Sequence, residues 1–107
     1  MNSTIQIIEP EGILDSTKTS NFQHKINQSI DSGVHTILID FRNVTFMDSS
    51  GLGALVKAFK SLKAAEVELF LCSINEQIKM LFELTGMDKY FNILKDREEF
   101  EQQLEKK

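Results

Sequence analysis

Apolar residues along the chain fall into two alternating kinds of stretch. Short runs rich in Ile, Val, Leu and Phe occur at "TIQIIEP", "HTILIDF", "VELFLCSI" and "YFNIL". Between them lie longer stretches whose apolar residues recur every three or four positions. The short runs predict β-strands and the spaced ones helices, with "YFNIL" either a short strand or an extended turn. "GILD" continues the first strand after a turn at Pro10, Glu11 and Gly12. "HTILIDF" is continuously apolar and β-branched, the pattern of a strand covered on both faces. In "STKTSNFQHKINQSIDSG", Phe22, Ile26 and Ile30 share one helix face; Ser16 or Thr17 can cap its start and Gly33 ends it. Leu52, Leu55, Val56, Phe59 and Leu62 form one face of a second helix, with Lys57, Lys60 and Ser61 opposite. "NEQIKMLFELTG" predicts a third, capped by Asn75 and closed by Gly86. "DREEFEQQLEKK" predicts a last helix, packed through Phe100 and Leu104, with acids early and lysines at its end as the helix dipole prefers.

Strand–helix alternation argues for the α/β class: a small sheet of four to five strands flanked by about four helices. The first two strands are close enough to form a hairpin, so the sheet is expected to be mixed rather than purely parallel. The 107 residues suffice for one modest core and predict a single domain, 1–107, with 96–107 as a C-terminal helix or tail.

Charge and composition narrow the partners. A net charge of −4 speaks against nucleic acid, which needs a basic face. No apolar run approaches the roughly 20 residues that span a bilayer. "MNSTIQIIEP" lacks the basic and long apolar regions of a secretory signal. Cys72, the single cysteine, sits in an apolar run and reads as a buried small hydrophobe. The expectation is a cytoplasmic protein without nucleic-acid or membrane partners.

The densest chemistry lies in "FMDSSGLG", residues 46–53. Asp48, Ser49 or Ser50 would each make a good N-cap for the second helix. Gly51 and Gly53 each cost roughly 1 kcal/mol against alanine within a helix. Their smallness predicts that another molecule approaches the backbone there. A serine nucleophile needs a base, yet His24 falls mid-helix and His35 opens a strand. The spacing Gly-x-Ser-x-Gly, a dinucleotide loop and a Gly-Lys-Ser/Thr phosphate loop are all absent. No Cys/His group has metal-ligand spacing, and Asp15, Asp40 and Asp48 would hold a cation only if folding joined them. No catalytic residue, metal or cofactor is expected.

"GILD" (12–15), "TILIDFRNVTFMDSSGLG" (36–53) and "LFLCSINEQIKMLFELTGMDKYFNI" (69–93) together resemble the STAS-domain family of anti-sigma factor antagonists. The resemblance covers nearly the whole chain up to Ile93, and "FMDSSGLG" is its specific part. It implies a small mixed sheet flanked by helices and a regulator that is not an enzyme. In such proteins the serine directly before the first glycine is phosphorylated by a partner kinase that is also the anti-sigma factor; here that serine is Ser50. The resemblance implies that the unmodified chain binds and sequesters an anti-sigma-factor-like serine kinase, that phosphorylated Ser50 releases it, and that a metal-dependent serine phosphatase resets the switch. ATP and Mg²⁺ would belong to the kinase. Asp15, Asp48, Ser49, Gly51, Leu52 and Gly53 would form the switch and partner-binding surface. Ile13 departs from the family, where many members carry a charged or polar residue. Two other readings stand beside this one: a STAS scaffold in a partner-switching pathway whose output is not a sigma factor, and a weak hydrolase or nucleotide-binding protein using Ser50 and the aspartates. Met80 and Leu84 widen the apolar stripe of the third helix, so either the terminal segment covers them or they belong to an adaptable binding surface.

Overall fold

The computed structural model describes residues 4–106. Their elements run β1 (Ile5–Ile8), β2 (Gly12–Leu14), α1 (Thr19–Asp31), β3 (Thr36–Asp40), β4 (Val44–Met47), α2 (Ser49–Ala64), β5 (Glu68–Cys72), α3 (Glu76–Thr85), β6 (Asn92–Leu94) and α4 (Arg97–Glu105). The α/β architecture and the four helices are those the periodicity predicts. Strands β1-β3-β5-β6 form a four-stranded sheet in that order, and β2 and β4 form a separate two-stranded one.

The expected β1–β2 hairpin is not formed, and the strand sense differs from a mixed sheet: each strand pair among the described residues is parallel. The physical reason lies at Gly12. Its φ of +72° turns the chain away from β1, and its N–H donates to the Asn43 carbonyl at 2.9 Å, starting β2 alongside β4 instead. A parallel partner for β1 then requires a long crossover, which α1 supplies on the way to β3.

All five residues of β3 are buried, as its unbroken apolar run predicts. One sheet face packs Ile8, Ile37, Ile39, Leu69 and Leu71 against α1, α2 and α3. The opposite face carries a smaller cluster, Leu38, Phe70 and Cys72, covered by Phe100 of α4 with Leu94 and Leu104 beside it. Cys72 is the buried hydrophobe expected, and burial pushes its thiol up to about 11. On α2 the innermost positions are Leu52, Ala54, Leu55, Ala58 and Leu62, while Val56 and Phe59 pack at the rim.

Both predicted caps of α3 form, and the one predicted for the start of α1 does not. Asn75 Oδ1 accepts from the Ile78 N–H at 2.9 Å, and Gly86 closes α3 in the left-handed conformation. Ser16 and Thr17 do not cap α1; its N-cap is Lys18, with no side-chain bond. Asp15 is the cause. Its carboxylate draws in both the N–H and the hydroxyl of Thr17, forming a turn that ends before the helix begins. Of the lysines at the end of α4, Lys106 is its C-cap and Lys107 lies outside the described residues. The α4 helix lies over the other cluster and does not cover Met80 and Leu84, which stay 57% and 81% exposed. No helix among the described residues is long and apolar enough to cross a membrane.

Candidate functional site

Two loops meet at the start of α2. Asp48 donates its N–H to the Leu14 carbonyl at 3.3 Å, setting the segment before α2 beside the end of β2 and so beside Asp15. Asp48 is the N-cap: its extended backbone stops the strand, and its Oδ1 accepts from the Gly51 N–H at 3.0 Å. One residue earlier, the Gln77 amide takes the place of a strand partner. Its Oε1 accepts from the Met47 N–H at 2.9 Å and its Nε2 donates to the Met47 carbonyl at 2.8 Å. The backbone entering the helix is thus held from both sides.

The aspartate cap leaves the serines free. Ser49 and Ser50 are the first two residues of α2, both are exposed, and neither hydroxyl makes a hydrogen bond with a described residue. Ser50, Gly53, Ala54 and Lys57 face Thr19 and Gln23 across a shallow depression of about 480 Å³. Gln23 Nε2 closes its floor by donating to the Ala54 carbonyl at 2.8 Å. Neither His24 nor His35 lines this depression, so Ser50 has no base there. No group of three or more His, Cys, Asp or Glu among the described residues could hold a metal ion.

The two glycines of the motif differ in their physics. A Cβ on Gly51 would lie 2.3 Å from the Leu14 carbonyl oxygen and 3.0 Å from Met47 Cγ. Gly51 is buried, and its smallness serves the chain's own packing, not access for another molecule as the sequence suggested. A Cβ on Gly53 would meet nothing within 4 Å, so that exposed position does leave room for a visitor. Leu52 is likewise buried in the core and supports the site from beneath. Asp15, Asp48, Ser49, Ser50 and Gly53 are the predicted site residues that reach the surface. Hydrogen bonds from the Thr17 hydroxyl and N–H, with the Lys18 charge adding, hold the Asp15 carboxyl below its usual range. Asp15 is therefore a carboxylate under ordinary conditions.

The structure adds residues that the sequence did not assign to the site. Ile13 and Phe46 are register partners on β2 and β4, and both are exposed. Strand alternation carried that signal: with Leu14 and Met47 buried, their neighbours must face outward. Gln77 gave no signal, because its partner is a backbone 30 positions away.

The model of the STAS domain matches residues 2–100. The anti-sigma-B factor antagonist of Staphylococcus aureus is 29% identical over 82 residues, covering 77% of this chain and 76% of that one. The unphosphorylated anti-sigma factor antagonist SpoIIAA superposes with a TM-score of 0.73 at 24% identity, covering 98% of this chain and 94% of its own. The phosphorylated form of SpoIIAA, a Bacillus cell fate determinant, gives 0.71 at 25%, covering 95% and 94%. A putative anti-sigma factor antagonist from Thermotoga maritima gives 0.83 at 23%, covering 91% of this chain and 84% of its own. At these identities the likeness to solved structures carries the fold, and the family model carries the kinship. These relatives are antagonists of anti-sigma factors. This chain belongs to the STAS domain family.

Proposed function

We propose that this chain is a phosphorylation-controlled switch that binds and sequesters an anti-sigma-factor-like serine kinase while Ser50 is unmodified and releases it once Ser50 is phosphorylated. A serine phosphatase restores the binding form. The unit is the whole of 1–107 as one STAS domain, acting in the cytoplasm where such a kinase works.

The observation that carries this reading is the free hydroxyl of Ser50 on the first turn of α2. Asp48 already caps the helix, so the hydroxyl has no structural duty and is open to a kinase. Phosphate adds about −1.5 to −2 charges at pH 7. Placed at a helix start, those charges meet the positive end of the dipole, so the domain tolerates them. A partner packed against the neutral hydroxyl does not, because it would bury an unpaired charge. Asp48, and Asp15 on the adjacent loop, add like charge and sharpen the contrast. Gly53 gives the partner close access, and the exposed Ile13–Phe46 pair extends the contact surface.

The test uses lysate of the source organism. With ATP, mass spectrometry should find phosphate on Ser50 of the wild type and none on Ser50→Ala. Phosphate on Ser49 with Ser50 bare would overturn the site assignment. With ADP, wild-type bait should hold a serine kinase that Ser50→Asp loses. The same partners on both baits would mean that charge at Ser50 does not govern binding.

A further inference from the structure

The four-stranded sheet ends at β1, and that edge is unusually bare. Its sequence, Ile-Gln-Ile-Ile, holds no charge, proline or bulge of the kind that normally blunts an exposed edge. The Thr4 carbonyl accepts from the Thr36 N–H, so in a parallel ladder the even-numbered residues of β1 face β3. The N–H and C=O groups of Ile5 and Ile7 therefore point to the free edge. The Gln6 side chain agrees with this direction, donating to the Ile7 carbonyl at 3.3 Å. Ile5 and Ile7 also leave their side chains 37% and 39% exposed, on the sheet face that carries Leu38.

Along the same edge, on the opposite face, runs an open groove of about 630 Å³ between β1 and α1. Gln6 lies on the β1 side. Lys25, Gln28 and Asp31 lie on the α1 side at i, i+3 and i+6, one stripe of the helix. The stripe is self-complementary: a two-fold axis near Gln28 brings Lys25 of one copy to Asp31 of the other, twice over.

We propose that β1 is a dimerisation edge, where two copies pair their β1 strands antiparallel about a two-fold axis at Gln6. Ile5 then lies opposite Ile7 of the second copy, and each such pair exchanges both of its N–H···O bonds. The four-stranded sheets join into one continuous sheet, and the exposed isoleucines of both copies meet on one face. The weak Gln6–Ile7 side-chain bond is exchanged for a backbone one. On the other face the Lys25–Asp31 pairs select a second copy of this chain over an unrelated strand, because only a matching helix presents the opposite order of charges. Pairing through β1 does not depend on Ser50 or its partner.

Analytical ultracentrifugation across a dilution series tests it. The wild type should move from the 12.2 kDa chain mass toward twice that value as concentration rises. Ile7→Pro removes an edge-facing N–H and spares the β1–β3 ladder, and it should raise the dissociation constant at least about 10-fold. Lys25→Asp, on the exposed face of α1, should raise it about 3-fold or more. The double variant Lys25→Asp/Asp31→Lys should return it to within about 2-fold of the wild type. That charge pair keeps the test decisive should Ile7→Pro fold poorly. A wild type still monomeric at about 1 mM overturns the proposal. So does a dimer that neither Ile7→Pro nor Lys25→Asp weakens, since its contact must lie elsewhere.

Discussion

The first turns of α2 and α4 rest on the same device. Asp48 accepts from the Gly51 N–H at 3.0 Å, and Asp96 accepts from the Glu99 N–H at 2.9 Å. The residues just after the two caps differ. After Asp48 come two exposed serines with unbonded hydroxyls. After Asp96 comes Arg97, whose Nε donates to Asp40 Oδ2 at 2.6 Å and whose terminal nitrogen donates to Glu9 Oε1 at 2.6 Å. Asp40 is fully buried at the end of β3, and its other oxygen accepts from the Arg42 N–H at 2.9 Å. One helix start is thus left open to solvent, and the other is locked onto the sheet. A cap satisfies the backbone in both cases, so the residue after it is free to serve either binding or stability.

The largest break in this comparison comes from removing the lock. In Arg97→Ala, Asp40 keeps a buried carboxylate with only Arg42 nearby, and α4 loses its tie to the sheet. Chemical denaturation should show a loss of about 2–3 kcal/mol, the lower range for stripping a partner from a buried charge because Arg97 itself reaches solvent. The pH dependence gives a sharper signature. Burial pushes the Asp40 carboxyl up, but the Arg97 and Arg42 hydrogen bonds and charges outweigh it and hold the group below 3.8. A depressed carboxyl stabilises the fold above the unfolded value and loses that contribution as pH falls through its folded value. The wild type should therefore keep the contribution of Asp40 down to about pH 4. Without Arg97, burial dominates and the sign reverses: the Asp40 carboxylate destabilises the fold at neutral pH, and the variant should recover part of its loss as acid protonates the group. Unfolding midpoints measured from about pH 3 to about pH 7 (a range set by the ordinary carboxylate values) check both statements.

A second break separates the two glycines of the open helix start. Gly51→Ala places a methyl carbon against the Leu14 carbonyl, so β2 and α2 must part. The expected cost is about 2 kcal/mol after the gain in helix propensity. Gly53→Ala meets empty space and should stabilise by about 0.5–1 kcal/mol. Thermal melts of the two variants should therefore shift in opposite directions, while partner capture should suffer in Gly53→Ala if close approach occurs there.

Legibility in the sequence tracked locality. The caps of α3 were readable because Asn75 and Ile78 are neighbours, and Gly86 needs only its own backbone. The burial of β3 was readable from its unbroken apolar run. Strand pairing was not, because β1 chooses between β2 and β3 through the turn at Gly12 and a crossover that no single stretch encodes. Gly51 was misread for the same reason: the atom that demands a glycine is the carbonyl of Leu14, on another element. The buried tie of Asp40 was not readable, since its partner Arg97 lies 57 positions away. The position of Ser50 was legible as a motif. Its freedom was not, because three adjacent residues were all credible caps and only the structure assigns that work to Asp48.

That assignment makes the smallest expected effect the most telling. Asp48→Ala removes the bond to the Gly51 N–H and the carboxylate that meets the helix dipole, and it should cost about 1 kcal/mol. Ser50→Ala removes a hydroxyl with no partner among the described residues and should change stability by less than about 0.5 kcal/mol. Urea unfolding of both variants with the wild type checks the pair. Equal losses would mean that Ser50 shares the capping, and phosphate there would then displace a structural bond. An unchanged Ser50→Ala would leave the hydroxyl with no structural work, as a switch requires: modification alters what the surface offers a partner while the helix beneath it stays as it was.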